Sequence, residues 1–289
     1  MKILGNGLGL AEGEHWAKLR KVANHAFHGE SLKNMIPDMV ASVETDAAKQ
    51  LLEGKNIFDM LNKLCSLLFK NSYKIRLPGI SKLFKTSDEI EGDKVEKEIR
   101  NNILEIVQKR EKKAVTEKED SFGTRKEVLQ LFGKQNPNPD GIAKLKTMNM
   151  IINEALRLYP PVIQLSRKTG REVRLGKLVV PANVQLVIPT VAFTMIPQIW
   201  GQDAQLFKPE RFSEGLAKAT KDNMAAFLPF GMGPRICVGF NFATTKAKIA
   251  LSMILQRHSF TLSPGYVHSP LHFLTVRPQH GVQVILHSL

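Results

Sequence analysis

Apolar residues recur every three to four positions along much of the chain, a spacing that predicts amphipathic helices. In the first of them, Trp16, Leu19, Ala23 and Phe27 share one face. The predicted helix over 141–158 ends just before Pro160, because proline cannot continue a helix. The predicted helices span residues 14–28, 35–52, 93–113, 125–132, 141–158 and 238–256.

Two other regions have the pattern of strands rather than helices. Residues 171–189 alternate apolar and polar positions around Gly176 and Pro181, as short strands do. A loop region is predicted from there to Phe230, and strand-like segments with turns follow the last helix. The chain has no internal repeat or low-complexity tract. The predicted fold class is therefore mainly α with small β-sheets, an α+β organisation.

The amino-acid composition is that of an ordinary globular protein. The 289 residues are 43% hydrophobic and 24% charged, as in ordinary globular proteins. Two cysteines, Cys65 and Cys237, form neither a CxxC motif nor a Cys/His zinc pattern. A disulfide framework is therefore not predicted, and a reducing compartment is favoured.

The chain carries a formal net charge of +14, with 41 basic and 27 acidic residues. This excess suits nucleic acid, an anionic membrane or an acidic protein partner. No helix-turn-helix, zinc finger or RNA-binding motif is present, so nucleic-acid binding is not predicted. A solvated basic surface and a docking face for an acidic partner both stay open. No apolar run reaches the ~20 residues that a membrane-spanning helix needs.

The segment with the clearest chemistry is Phe230–Gly239, FGMGPRICVG. Glycines at 231 and 233 permit a tight backbone, and Gly239 allows a flat ligand to lie against the chain. Cys237 is predicted at the start of a helix, where backbone N–H groups favour a thiolate over a thiol. Arg235 supplies a permanent cation suited to a carboxylate.

The alternative for Cys237 is a buried structural cysteine in a glycine-rich turn. The pattern F–G–x–x–R–x–C–x–G arises by chance on the order of once in ten million start positions. The segment closely resembles the haem-binding loop of cytochromes P450. The resemblance implies haem b as cofactor and Cys237 as the axial ligand of its iron, a thiolate that favours O–O cleavage.

Two more motifs carry the same resemblance. Residues 154–157 match the ExxR motif of the family's K helix, and residues 209–212 match its PERF segment. Glu154 and Arg157 share one helix face, which by itself is more typical of a surface pair. The resemblance implies that Arg211 completes a three-way structural ion pair with them.

Other positions acquire roles only through the resemblance. Trp16 and Arg20 match a WxxxR motif whose members bind a haem propionate, although a core tryptophan with a surface arginine is the alternative. Arg167 and Arg235 are expected to bind propionates too. Residues 162–165 would line the substrate side of the haem, or else form the core of a strand. Further stretches resemble plant P450s of the seventy-two clan.

The chain departs from the family in two respects. The resemblance leads us to expect a chain without the N-terminal membrane anchor, and no (A/G)GxxT(T) motif of the distal I helix lies between Arg110 and Arg157. An incomplete P450 fold is therefore expected, as a single partial domain over 1–289. Residues 1–124 would be remnants of the N-terminal helical half, and residues 125–289 the haem-binding C-terminal half.

The resemblance implies a monooxygenase that inserts one oxygen atom from O2 into a small apolar substrate. Electrons would come from NADPH only indirectly, through NADPH-cytochrome P450 reductase. The family's location is the cytosolic face of the endoplasmic reticulum membrane, but without an anchor a cytosolic location is the alternative. The truncation makes activity doubtful. A catalytically inactive haem-binding or interaction protein is therefore the second hypothesis.

Overall fold

The computed structural model describes residues 7–9, 11–53, 120–272 and 275–288. The predicted helix over 93–113 and the second cysteine, Cys65, lie outside these ranges. The described α-helices are α1 Gly13–Ala26, α2 Gly29–Glu53, α3 Asp120–Phe132, α4 Pro139–Lys144, α5 Lys146–Leu158, α6 Thr190–Phe193, α7 Pro197–Trp200, α8 Leu216–Ala219 and α9 Phe240–Arg257. The strands are β1 Gln164–Lys168, β2 Val173–Leu175, β3 Leu178–Val180, β4 Gln185–Pro189, β5 His258–Leu262, β6 Pro270–His272, β7 Val276–Pro278 and β8 Val284–Ser288.

Small antiparallel pairs make up all the sheet structure in the described ranges. The pairs are β1–β4, β2–β3, β5–β8 and β6–β7. Helices contribute most of the regular structure, so the predicted α+β class with small sheets is confirmed. No helix in the described ranges is both long and apolar enough to cross a bilayer.

The chain divides into two compact units. The first unit takes its described residues from Met1–Lys146, Val238–Ser269 and His280–Leu289. Its centre is α9, which packs against α2, α3 and α4. Apolar side chains from these helices, among them Ile36, Val128 and Ile249, are buried.

The second unit comprises Thr147–Cys237 and Pro270–Gln279. It holds α5, the first four strands, the short helices that follow them and the cysteine-containing segment. Its apolar core is formed by Trp200, Ala204, Phe212 and Ala226. Glu154 and Arg157 of α5 are also fully buried in this unit.

The predicted single helix over 141–158 is wrong. The structure has two helices, α4 and α5, separated at Leu145, whose ψ of 87° is not helical. The carboxylate of Glu127 accepts a hydrogen bond from the backbone N–H of Lys146 at 2.7 Å. A side chain remote in sequence thus satisfies an N–H at the start of α5, which local periodicity does not reveal.

Other predicted boundaries also need correction. Helix α2 begins at Gly29 rather than 35, and α3 begins at Asp120 rather than 125. Strand β1 was not predicted as a separate strand, and its alternation continues the sheet pattern upstream of 171. The predicted loop up to Phe230 contains the short helices α6, α7 and α8. These one-turn helices are too short for a periodic apolar pattern.

A substitution at Gly141 tests the packing of the first unit. A Cβ atom at this position would overlap the ring of Phe132, which is buried. We expect Gly141→Ala to lower the free energy of unfolding by about 1–3 kcal/mol, because the buried ring must shift to admit the added methyl group. Urea unfolding measures the effect.

Gly123→Ala in α3 is the matched control, since a Cβ atom there meets nothing within 4 Å. Alanine at that site is expected to stabilise the protein by about 0.5–1 kcal/mol through helix propensity. Equal effects of the two substitutions would show that Gly141 is not packed as described.

Candidate functional site

The backbone of the cysteine-containing loop, residues 228–239, is fixed by hydrogen bonds within the loop. The N–H of Gly231 donates to the carbonyl of Leu228 at 3.1 Å, and the N–H of Cys237 donates to the carbonyl of Phe230 at 2.9 Å. Gly231 and Gly233 have φ angles of 76° and 79°, a conformation that favours glycine. Cys237 itself is exposed, and its thiol is free. The loop therefore presents a thiol from a constrained backbone.

Arg167 of β1 lies beside this loop. A Cβ atom at Gly231 would lie 3.6 Å from Arg167 Nη2 and 3.8 Å from Leu165 Cδ1. The other terminal nitrogen, Nη1, donates to the carbonyl of Ser166 at 2.9 Å. The fold thus brings a guanidinium from the sheet to the glycine turn of the cysteine loop.

The remaining loop residues are placed as follows. Arg235 is exposed in a one-turn 3-10 helix, and Phe230 is half-buried. Gly239 is the N-cap of α9, and its carbonyl accepts the N–H of Ala243 at 2.9 Å. Because α9 begins at Phe240, Cys237 precedes the first helical residue by three positions, slightly earlier than predicted.

Trp16 and Arg20 lie four residues apart on α1, in the first unit. Both are half-buried, and Arg20 Nε donates to Asn24 Oδ1 at 2.8 Å. At the C-cap of α1, the ring of Phe27 packs edge-on against Phe242 of α9, with centroids 5.8 Å apart. Cys237, Arg167 and Arg235 belong to the second unit.

Glu154 and Arg157 form a bidentate pair with no exposed surface. Arg157 Nε donates to Glu154 Oε2 at 2.6 Å, and Nη2 donates to Oε1 at 2.7 Å. The guanidinium also donates to the carbonyls of Thr194, Ala204 and Leu206. The Lys208 backbone N–H donates to Glu154 Oε1 at 2.8 Å. The buried charges are thus paired and supplied with hydrogen bonds, which is what makes their burial tolerable.

Arg211 joins the pair from the PERF segment. Its Nε lies 3.5 Å from Glu154 Oε1, too far and too poorly aligned for a hydrogen bond. Its terminal nitrogens donate to the carbonyls of Trp200 and Asp203. Arg211 is therefore held mainly by the segment that follows α7, with the Glu154 carboxylate close by.

Asp203 is a member of this network that the sequence analysis missed. Its carboxylate accepts from Arg211 Nη2 at 2.7 Å and from Lys208 Nζ at 2.6 Å. Hydrogen bonds from Lys208 and then Arg211 lower the pKa of Asp203 from 3.8 to about 2. The available signal was an acid shortly before a lysine and an arginine.

Aromatic packing connects the ion network to the cysteine loop. The Arg157 guanidinium lies 5.1 Å from the centroid of the Trp200 ring. Trp200 packs on Phe212, and Phe212 packs on Phe227, with centroid distances of 6.1 and 5.6 Å. Phe227 directly precedes the loop. A continuous set of contacts therefore runs from the buried ion pair to the residue at which the loop begins.

The match of the chain to a family model decides the family. Residues 123–286, more than half of the chain, match the model described as Cytochrome P450. The chain belongs to the cytochrome P450 family. It is a plant-type member by its relatives, and the predicted family and plant type are confirmed.

Three curated plant P450s illustrate the similarity. Cytochrome P450 CYP749A22 of Panax ginseng is 46% identical over 379 positions, and the alignment takes in the whole chain and 72% of the relative. Cytochrome P450 CYP72A616 of Paris polyphylla is 34% identical, with the whole chain and 74% of the relative aligned. The 7-deoxyloganic acid hydroxylase of Catharanthus roseus is 33% identical, with the whole chain and 74% of the relative aligned.

The lengths of these alignments carry further information. They run over 379 to 388 positions, whereas the chain has 289 residues. The relatives therefore contain internal stretches that have no counterpart in this P450. This agrees with the expected incompleteness of the fold.

P450s are haem b monooxygenases that receive electrons from a redox partner, and the described residues fit the cofactor. The thiol of Cys237 is free, exposed and presented by a hydrogen-bonded loop. The guanidinium of Arg167 lies next to the same loop, where a cation suits an anionic propionate. Cys237 could thus hold the iron, and Arg167 could bind a propionate.

Removing Glu154 tests the buried pair. We expect Glu154→Ala to lower the free energy of unfolding by about 3–5 kcal/mol, because it leaves the Arg157 charge buried without its partner. Chemical unfolding of the purified chain measures the loss. The matched control is Glu30→Ala, which breaks the exposed Lys33–Glu30 pair at 2.9 Å and should have no measurable effect. Similar losses in both variants would contradict the account.

The lowered pKa of Asp203 leads to a prediction about how the stability of the fold depends on pH. Because its pKa is lower in the folded chain than its ordinary value of 3.8, the ionised carboxylate stabilises the fold above that value. This stabilisation should be lost as pH falls from about 4 towards 2. Unfolding curves of the native chain and Asp203→Asn should therefore differ most near neutral pH and converge in acid. A difference independent of pH would contradict this role.

Proposed function

We propose that Cys237 is the axial thiolate ligand of haem b and that the chain inserts one oxygen atom from O2 into a small apolar substrate. The supporting observation is the free, exposed thiol on a loop whose backbone is fixed by its own hydrogen bonds. The family match supplies the reaction class. Residues 1–289 would form one partial P450 domain, with the haem-binding half at 125–289.

When bound, the haem supplies the activation of O2, and its thiolate ligand assists O–O cleavage. The role of Cys237 is to provide that thiolate. The Phe230 carbonyl holds the Cys237 backbone N–H, which keeps the ligand in one position. Gly231 and Gly239 would leave room for the cofactor because they carry no side chain, and the half-buried Phe230 would contribute an apolar side chain beside it.

Four donors are proposed for the haem propionates. Arg167 and Arg235 would supply guanidinium groups, which bind carboxylates through paired N–H donors. Trp16 would donate through its indole N–H, and Arg20 through its guanidinium. The position of Arg167 beside Gly231 supports its assignment most directly.

The proposed substrate side is the segment from Val162 to Leu165. Val162 and Leu165 are half-buried, and the Val162 carbonyl accepts the hydroxyl of Thr190 at 2.7 Å. The buried Thr190 hydroxyl would thereby fix the backbone at the start of this segment. Aliphatic side chains held in this way favour an apolar substrate.

The proposed electron donor is NADPH-cytochrome P450 reductase, at the cytosolic face of the endoplasmic reticulum membrane. An excess of basic residues supports docking to an acidic partner. Lys246 and Lys248 of α9 are two candidate docking cations, and Lys248 is the weaker one. Burial lowers its pKa, and Glu127 only partly opposes the shift. Lys246 lies two residues earlier, on a different face of α9, and is the better docking cation.

The lengths of the alignments support a second candidate function. The relatives contain internal stretches with no counterpart here, and the chain has no (A/G)GxxT(T) motif between Arg110 and Arg157. That motif belongs to the family's distal side, where protons reach bound O2. The alternative is therefore a haem-binding or interaction protein without oxygenase activity.

The ligand assignment predicts a spectrum. The reduced protein under carbon monoxide should show the red-shifted Soret band of a thiolate-ligated haem. Cys237→Ala should abolish that band, because no other residue is proposed as ligand. Cys65→Ala is the matched control and should keep it. A thiolate-type band that persists in Cys237→Ala, or disappears in Cys65→Ala, would contradict the assignment.

If the thiolate band is present, a turnover assay distinguishes the oxygenase from the haem-binding protein without oxygenase activity. With reductase, NADPH and ¹⁸O2, the oxygenase predicts substrate-dependent NADPH consumption and one labelled oxygen atom in the product. NADPH consumption without labelled product would favour the haem-binding alternative.

A further inference from the structure

The antiparallel pair of β5 and β8 projects from the end of α9, in the first unit. His258 and Ser259, next to the helix, are half-buried, whereas residues 260–262 are exposed. Residues 284–287 of β8 are exposed as well. A two-stranded sheet is marginally stable in water unless a third strand or a helix packs against it. Within the described ranges nothing covers the outer half of this sheet.

The two faces of this sheet differ in polarity. Phe260 is paired with Leu286 and Leu262 with Val284, and directly paired residues lie on the same face. These four side chains are between 39% and 46% exposed. The opposite face carries Ser259, Thr261, Ile285 and His287. One face is therefore a contiguous apolar surface, which is typical of an interaction site.

This part of the chain carries almost no charge. From His258 to Leu289, Arg277 of β7 is the one residue that is Lys, Arg, Asp or Glu. Anionic lipid and acidic proteins are attracted by cations, which β5 and β8 do not contain. Two copies of a chain with a net charge of +14 repel each other, and they do so least where neither surface is charged. The apolar face thus suits a second copy of this chain.

The size and shape of the face also suit a second copy. Together with the adjoining Val282, which is 54% exposed, the face leaves roughly 400 Å² of apolar surface in water, about half of what each partner buries in a standard interface. In a two-fold arrangement, the larger pair, Phe260 and Leu286, of one copy lies over the smaller pair, Leu262 and Val284, of the other. Such an area supports a weak, reversible dimer rather than an obligate one.

We propose that the apolar face of the β5–β8 sheet is the interface of a reversible homodimer, in which the sheets of two copies pack face to face about a two-fold axis. Each copy then covers the outer half of the other copy's sheet, as the second layer of a β-sandwich does. The proposal goes beyond the proposed function and does not rest on it, because no residue of β5 or β8 is assigned to haem.

Sedimentation velocity of the full chain tests this proposal. Between about 1 and 100 µM the chain should pass from monomer to dimer, because an interface of this size gives a dissociation constant in the micromolar range. Phe260→Ser/Leu286→Ser should raise that constant at least about tenfold, since both copies lose apolar surface that would leave water. Added salt should not raise it, because screening weakens the repulsion between the two basic chains.

Ile285→Ser is the matched control. Ile285 is 44% exposed and belongs to the same strand, but it lies on the opposite face. This variant should dimerise as the native chain does. Circular dichroism should show the native helix content in every variant, so that a lost dimer is not confused with a lost fold.

A pair of charged variants provides a second measurement. Leu262→Lys and Leu286→Glu should each abolish the dimer, because each would bury an unpaired charge at two places in the interface. In an equal mixture of the two variants, the lysine of one chain lies over the glutamate of the other. The mixture should therefore recover association.

Several outcomes would overturn the proposal. A chain that sediments as a monomer at about 100 µM has its apolar face covered by its own residues or left bare. An equal loss of dimer in Ile285→Ser, or a dissociation constant that rises with salt, would mean that the copies associate through another surface. Dimers that persist in both single charged variants would likewise refute the interface.

Discussion

The buried pair of Glu154 and Arg157 is the interaction on which the second unit depends. Two opposite charges without exposed surface lie within a single turn of α5. Their other hydrogen bonds go to backbone groups at Thr194, Ala204, Leu206 and Lys208. The pair therefore ties the helix to a long irregular stretch that has no sheet or long helix of its own. Backbone carbonyls in such a stretch would otherwise be buried without donors.

The pair also lies at one end of a series of packed side chains that leads to the Cys237 loop. Arg157 stacks on Trp200, which packs on Phe212, and Phe212 packs on Phe227 immediately before the cysteine loop. Asp203 holds Arg211 beside the same carboxylate. Close packing of this kind transmits displacement, because core side chains have little free space. We therefore expect the orientation of the Cys237 loop to depend on charges that do not touch it.

Sequence patterns predicted the fold class, most long helices and the family, because apolar periodicity and the FGMGPRICVG segment are local signals. They did not reveal the break at Leu145, which depends on a hydrogen bond from a backbone N–H to the distant Glu127. They missed Asp203 for a related reason. Its role arises only when α7 and the PERF segment meet in space. The resemblance predicted a propionate-binding role for Arg167, whereas its proximity to Gly231 is visible only in three dimensions.

Hydrogen exchange of the peptide that covers 228–239 tests this account most directly, in the native chain and in Arg157→Lys. Lysine keeps the charge but cannot make the bidentate contact or stack as a planar group. The account predicts faster exchange both around α5 and at the Cys237 amide, which donates to Phe230. Faster exchange around α5 with an unchanged rate in the loop would contradict it, because the loop would then hold its shape without the buried pair.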